Sequence, residues 1–138
     1  MIRRVLTDTG PLVAILSPND HNHASCVSVW KELSNPLLTC WPVVTEAAWT
    51  LRTTPRAVKK MLGSIQSGIL ELAELSWSEA GRIAEILEQY ESLRPQFADA
   101  ALVYLANRED IDTIFTLDRR DFSVYRTARK KPFQLIPN

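Results

Sequence analysis

The sequence predicts an α/β fold, a three-layer α/β/α arrangement with a central, mostly parallel sheet of about five strands. Short apolar runs alternate along the chain with longer segments whose apolar residues recur at helical spacing. Strands that alternate with helices form a parallel sheet covered on both faces. Right-handed crossovers place every strand end at one edge of that sheet, where the ligands of open α/β folds bind.

The predicted strands are short apolar runs bounded by turn residues. Residues 37–40 lie between two prolines, which suits a buried strand, whereas residues 69–75 alternate between apolar and polar in a manner typical of an edge strand. Strands are expected at residues 2–7, 37–40, 69–75, 113–116 and 133–136.

The predicted helices begin or end at capping and breaking residues. Gly10-Pro11 turns the first strand into the first helix, and Pro42 and Pro95 each suit the first turn of a later helix. Ser76 and Glu79 have the spacing of a capping box. Helices are expected at residues 12–16, from a cap at Asp20 or Asn22 to about residue 34, and at residues 42–52, 56–67, 76–93, 95–106 and 118–125.

The composition fits one globular domain over residues 1–138, with 46% hydrophobic and 23% charged residues. No apolar stretch approaches the ~18 residues of a membrane span, and no secretory leader is recognisable, so we expect a cytoplasmic protein without a membrane partner. Cys26 and Cys40 lack metal-ligand spacing and are expected to be reduced thiols. His21 and His23 are expected to be loop residues, because no third ligand of matching type lies nearby.

Four acidic residues interrupt apolar segments: Asp8, Glu46, Asp99 and Asp118. One such acid is usually explained by a helix cap or a salt bridge. Four of them at the ends or faces of core elements indicate that their side chains form one shared site. Asp8 and Asp118 follow predicted strands, while Glu46 and Asp99 lie early in predicted helices. We therefore expect all four at the ligand-binding edge of the sheet.

Converging carboxylates repel one another, and a divalent cation relieves that repulsion. Ligands that are all oxygen suit Mg²⁺ or Mn²⁺, which are usually held by a few carboxylates together with substrate phosphate. Such an ion generates a hydroxide nucleophile and stabilises charge on a phosphodiester. The chemistry predicted is phosphodiester hydrolysis.

The acidic segments also carry a family resemblance. The sequence has DTGPL at residues 8–12, VTEAAW at 44–49, FADAA at 97–101 and TLDRRDF at 116–122. Together and in this order, they resemble the PIN domain, and the last motif closely resembles the VapC-type ribonuclease toxins of bacterial toxin–antitoxin pairs. The resemblance extends from Asp8 to about Ile136.

The resemblance implies an Mg²⁺- or Mn²⁺-dependent endoribonuclease, often a homodimer, silenced by a small antitoxin that covers the site. By position it makes Asp8, Glu46, Asp99 and Asp118 the catalytic and metal-binding acids. It also places the hydroxyl of Thr116 beside them. Some relatives have a further acid where this chain has Val103, which leaves one or two metal ions open.

Asp121 has two interpretations in the sequence. It either binds the metal through water or caps the turn that begins near Asp118, and its position favours capping.

Basic residues are concentrated in two segments of this electrically neutral chain. The first segment is expected to steer the RNA backbone through Arg119, Arg120 and Arg126. It continues with Arg129, Lys130 and Lys131, and the second comprises Arg52, Arg56, Lys59 and Lys60.

Other functions are compatible with parts of this pattern. The Asp-Thr-Gly tripeptide also occurs in aspartic proteases, but those require an all-β dyad. An acidic phosphotransfer domain would need a lysine near the site, and none lies in the four motifs. A catalytically idle PIN-like domain that binds RNA or protein stays open, and activity with Mn²⁺ would separate it from an enzyme.

Overall fold

The computed structural model describes residues 4–34 and 36–138 and contains a five-stranded parallel sheet. The strands lie in the order β3-β2-β1-β4-β5, and every neighbouring pair is parallel. They are β1 Leu6–Thr7, β2 Leu37–Thr39, β3 Leu70–Leu72, β4 Thr113–Phe115 and β5 Gln134–Ile136. Helices flank the sheet, so the predicted three-layer α/β fold is confirmed, with β3 at an edge.

Seven α-helices connect the strands among the described residues. They are α1 Thr9–Leu16, α2 His23–Glu32, α3 Trp41–Thr50, α4 Pro55–Ser67, α5 Ala80–Gln89, α6 Phe97–Glu109 and α7 Arg119–Phe122. Short 3₁₀ turns cover Trp77–Glu79 and Glu91–Leu93. No helix in these described stretches is long and apolar enough to cross a membrane.

The order of the strands fixes where a ligand can bind. From β1 the chain first builds outward through β2 to β3, and later returns to the other side of β1 to place β4 and then β5. The carboxyl ends of β1 and β4 therefore flank the point where the order of the strands changes direction. In open α/β sheets this point forms a crevice that receives the ligand.

Helix α6 is the most buried helix of the fold. Small and branched apolar side chains cover almost its whole circumference: Ala98, Ala100, Ala101, Leu102, Val103, Leu105 and Ala106 are all buried. The helix packs against α3 and α5. Because alanine allows close approach, α6 holds its one buried acid, Asp99, inside the protein.

Several predicted boundaries were wrong. Gly10-Pro11 does not form a turn but lies in the first turn of α1, where proline needs no N–H partner. Pro95 precedes the helix it was expected to start, because Gln96 is the N-cap of α6. The helix predicted over residues 76–93 is interrupted at Tyr90. The first predicted strand includes residues 2 and 3, which lie outside the described residues. Residue 35, near the predicted end of the second helix, also lies outside them.

The structure also tests the expectations for the histidines and the cysteines. The expectation that His23 is a loop residue was wrong, because His23 is the first residue of α2, where its Nδ1 lies 2.7 Å from the carbonyl oxygen of Ala14. Cys26 and Cys40 are both buried free thiols. Burial raises the pKa of Cys40 to about 11, which keeps this thiol protonated and unreactive at neutral pH.

Candidate active site

The carboxyl ends of β1 and β4 open into an acidic cavity of about 310 Å³. Its walls come from β1, α1, α3, α6, α7 and the segment before α6. The lining residues are Asp8, Thr9, Glu46, Arg94, Gln96, Asp99, Asp118 and Asp121. The structure thus brings all four acids singled out in the sequence to one place, together with Asp121.

Asp8 is fixed between the two central strands. Its backbone N–H donates to the carbonyl of Phe115 over 2.9 Å, which continues the β1–β4 ladder by one residue. Its Oδ2 accepts a hydrogen bond from Thr116 Oγ1 at 2.8 Å, and the same hydroxyl accepts from the backbone N–H of Asp118 at 3.0 Å. Thr116 is fully buried and therefore links one acid of the cavity to the segment that carries another.

Asp99 enters the cavity from the first turn of α6 and is 9% exposed. The hydroxyl of Tyr125 donates to its Oδ2 at 3.3 Å. Tyr125 is itself fully buried, and its ring packs edge-to-face against Tyr90 and Phe122 at centroid distances of 4.9 and 5.1 Å. The packed ring holds the hydroxyl in position against Asp99.

Asp118 and Asp121 lie at the start of α7. Asp118 is the N-cap of this helix, and its Oδ1 accepts from the backbone N–H of Asp121 at 3.2 Å. One carboxylate oxygen each of Asp99, Asp118 and Asp121 lies within 4.8 Å of the others. The expectation that Asp121 caps this turn was therefore wrong, because Asp118 is the cap and the Asp121 carboxylate belongs to the acidic cluster.

Burial and mutual repulsion disfavour the charged forms of these acids. The pKa of Asp99 rises to about 7, mainly because burial removes water and then because Asp8 and Asp118 are nearby. Burial also raises the pKa of Asp8, although the Thr116 hydrogen bond opposes the rise. The pKa of Glu46 is raised by burial and then by Asp8. Among the described residues, ion pairs within 4 Å involve only Arg4 and Arg108 as cations, so no acid of the cavity forms an ion pair with a protein cation.

The cavity residues fit a divalent metal ion. Carboxylate oxygens are the ligands that Mg²⁺ and Mn²⁺ prefer, and the cluster of Asp99, Asp118 and Asp121 supplies three within a few ångströms of one another. Thr9 lines the same cavity, although its hydroxyl oxygen is buried and has no hydrogen-bond partner among the described residues. A bound divalent cation would relieve the repulsion among these carboxylates.

Comparison with known proteins identifies the family of this chain. The family model of the PIN domain matches residues 5–129. The chain belongs to the PIN domain family. A curated relative, Ribonuclease VapC26 of Mycobacterium tuberculosis, is 32% identical over 135 residues, which cover 96% of this chain and 100% of the relative.

Two solved structures share the fold of this PIN domain. VapC20 of Mycobacterium tuberculosis, described as a Sarcin-Ricin loop cleaving toxin, is 16% identical, with a TM-score of 0.77 over 84% of this chain and 91% of that chain. VapBC2 of Rickettsia felis, bound to a DNA fragment from its promoter, is 16% identical, with a TM-score of 0.63 over 98% and 97%. The resemblance to VapC-type PIN domains is confirmed.

Four cavity residues or neighbours of this PIN domain were missed in the sequence: Thr9, Arg94, Gln96 and Tyr125. Arg94 has a left-handed backbone with φ of 50° immediately before Pro95, and no local pattern signals its place beside the acids. Tyr125 reaches Asp99 only through the tertiary fold, across 26 positions of sequence. Thr9 follows Asp8 directly, so its proximity to the first acid was the one available signal.

The basic residues that follow Asp118 do not all lie at the same end of the parallel strands. Arg119 donates to the carbonyl of Pro137 at 2.7 Å, and Arg126 donates to the carbonyls of Ser123, Val124 and Tyr125. Arg120 is exposed. Residues 129–131 directly precede β5 and so lie towards the opposite edge from the acids. RNA contacts by Arg119, Arg120 and Arg126 stay a prediction.

Proposed function

We propose that this PIN domain is an endoribonuclease that depends on Mg²⁺ or Mn²⁺ and acts as the toxin of a type II toxin–antitoxin system. The observation that carries the proposal is the cluster of acids at the β1 and β4 ends, none of which forms an ion pair with a protein cation among the described residues. The names of the relatives, a ribonuclease and a Sarcin-Ricin loop cleaving toxin, support RNA as the substrate.

The residues would divide the work as follows. Asp99, Asp118 and Asp121 would hold the cation, and Asp8 and Glu46 would add negative charge that attracts it. When bound, such an ion lowers the pKa of water and stabilises the charge that develops on the phosphate. Thr116 donates to one oxygen of Asp8 and so holds this carboxylate in position at the cavity. Tyr125 does the same for Asp99.

The proposal includes a single PIN-like domain over residues 1–138, a cytoplasmic location, and two protein partners. A small antitoxin is supported by the VapBC2 assembly of Rickettsia felis. A homodimer is supported by the outer face of α3, where Trp41 and Trp49 are 56% and 67% exposed. Large exposed aromatic side chains on one helix face are typical of protein interfaces.

The test compares cleavage of a mixed RNA pool by the parent and by two variants, Asp99→Asn and Asp118→Asn, in Mn²⁺ and in EDTA. Each variant keeps the side-chain shape but removes one charge, so we expect cleavage to fall by about 100-fold or more. Glu88→Gln is the matched control, because Glu88 is an exposed acid of α5 outside the cavity. Its activity should match the parent.

Parent activity that is equal in EDTA and in Mn²⁺ would refute metal dependence. An inactive parent that still binds RNA or a protein partner would instead identify the catalytically idle domain.

A further inference from the structure

The residues lining the acidic cavity include one cation. Five of the eight lining residues are acids, two are neutral, and the eighth is Arg94. Among the described residues, its guanidinium forms neither a salt bridge within 4 Å nor a hydrogen bond, although acids line the same cavity. Arg94 therefore does not serve to neutralise an acid, and its donors are available to an incoming group.

The backbone conformation of Arg94 also indicates a binding residue. Its φ of 50° and ψ of 56° are left-handed, a conformation that is strained for a residue with a side chain and that glycine adopts freely. Strained residues of this kind concentrate at binding and catalytic sites. The strain brings the chain from the 3₁₀ turn Glu91–Leu93 into α6, and it places an arginine at the mouth of the cavity.

Arg94 is the one lining residue whose side chain can bind a phosphate by charge. A cavity walled by five carboxylates repels an RNA phosphate, and the guanidinium offers a planar pair of donors that fits two phosphate oxygens. We propose that Arg94 binds a non-bridging oxygen of the RNA phosphate that enters the acidic cavity, as a substrate-contacting residue. This inference rests on the proposed function, since it assumes that RNA enters there.

The test measures binding of a fluorescent single-stranded RNA oligonucleotide by anisotropy in EDTA, where metal-dependent cleavage does not occur. Arg94→Gln should weaken binding by about 5-fold or more at low salt, and the slope of log affinity against log salt should fall by about 0.7 for the one lost phosphate contact. Arg94→Lys keeps the charge and should keep most of the slope while it weakens binding less.

Arg82→Gln is the matched control, because Arg82 is an exposed arginine of α5 that does not line the cavity. Its affinity and slope should equal those of the parent. The rise in melting temperature with Mn²⁺ should be the same in Arg94→Gln as in the parent, which shows that the metal site is intact.

Parent-like affinity and slope in Arg94→Gln would overturn the inference. A parent that binds no RNA in EDTA would also overturn it, because the contact needs no metal. A parent that binds RNA through Arg94 but does not cleave it in Mn²⁺ would refute the proposed nuclease and leave the contact standing.

Discussion

Neutralising Asp99 should stabilise the metal-free protein, although most substitutions of buried residues destabilise. The pKa of Asp99 is about 7 in the folded protein, against the ordinary value of 3.8. The folded state therefore binds its proton more tightly than the unfolded chain does. Stability is lost as the pH rises between these two values, and the whole penalty is present above pH 7.

The size of the effect follows from that difference. A rise from 3.8 to about 7 corresponds to about 4 kcal/mol, and with Asp99 only 9% exposed, solvent screens little of it. In Asp99→Asn the amide oxygen can still accept from Tyr125, but the buried amide N–H₂ costs about 1–2 kcal/mol if unpaired. The net gain is about 2 kcal/mol, or about 8 °C in melting temperature for a domain of this size.

The assay is thermal unfolding of the parent and of Asp99→Asn in EDTA at pH 4 and pH 8. At pH 4 the variant should melt slightly below the parent, because Asp99 is protonated there and mainly the cost of the buried amide separates the two proteins. At pH 8 the variant should melt higher than the parent by the full net amount. Millimolar Mn²⁺ at pH 8 should raise the melting temperature of the parent and have little effect on the variant. If Asp99→Asn melts at or below the parent temperature at pH 8 in EDTA, the carboxylate is neutralised within the protein and the reasoning is wrong.

Two further substitutions test the groups that orient the acids. Thr116→Val removes the donor to Asp8 and the acceptor for the Asp118 N–H, so urea denaturation should show a loss of about 2–3 kcal/mol, whereas Thr116→Ser should lose far less. Equal stability of the two variants would contradict this. Tyr125→Phe keeps the buried ring but removes the donor to Asp99, and calorimetric titration should show Mn²⁺ affinity about 10-fold weaker. Unchanged affinity would show that the hydroxyl does not orient the carboxylate.

The sheet and the acids could be predicted from the sequence because their signals are local. Each strand is an apolar run with a turn residue beside it, and each of the four acids stands out because it interrupts such a run. The parallel topology then brings separate strand ends together without any knowledge of side-chain contacts.

The sequence did not predict features that depend on tertiary contacts. The interruption of the helix predicted over residues 76–93 falls at Tyr90, whose ring packs on Tyr125 and whose hydroxyl accepts from the Arg126 N–H. Asp121 has the spacing of a capping residue, but the capping carboxylate belongs to Asp118. Capping and metal binding require the same residue type near a helix start, so spacing alone does not separate them.

The strand order also affects when the nascent chain can fold. β1 emerges first from the ribosome, but its partner β4 comes about a hundred residues later, and the Thr116–Asp8 hydrogen bond joins positions 108 apart. Contacts so distant in sequence form late, after much chain entropy has been lost. The acidic cavity therefore cannot assemble until residue 121 has been synthesised, and a shorter nascent chain on the ribosome carries no complete site.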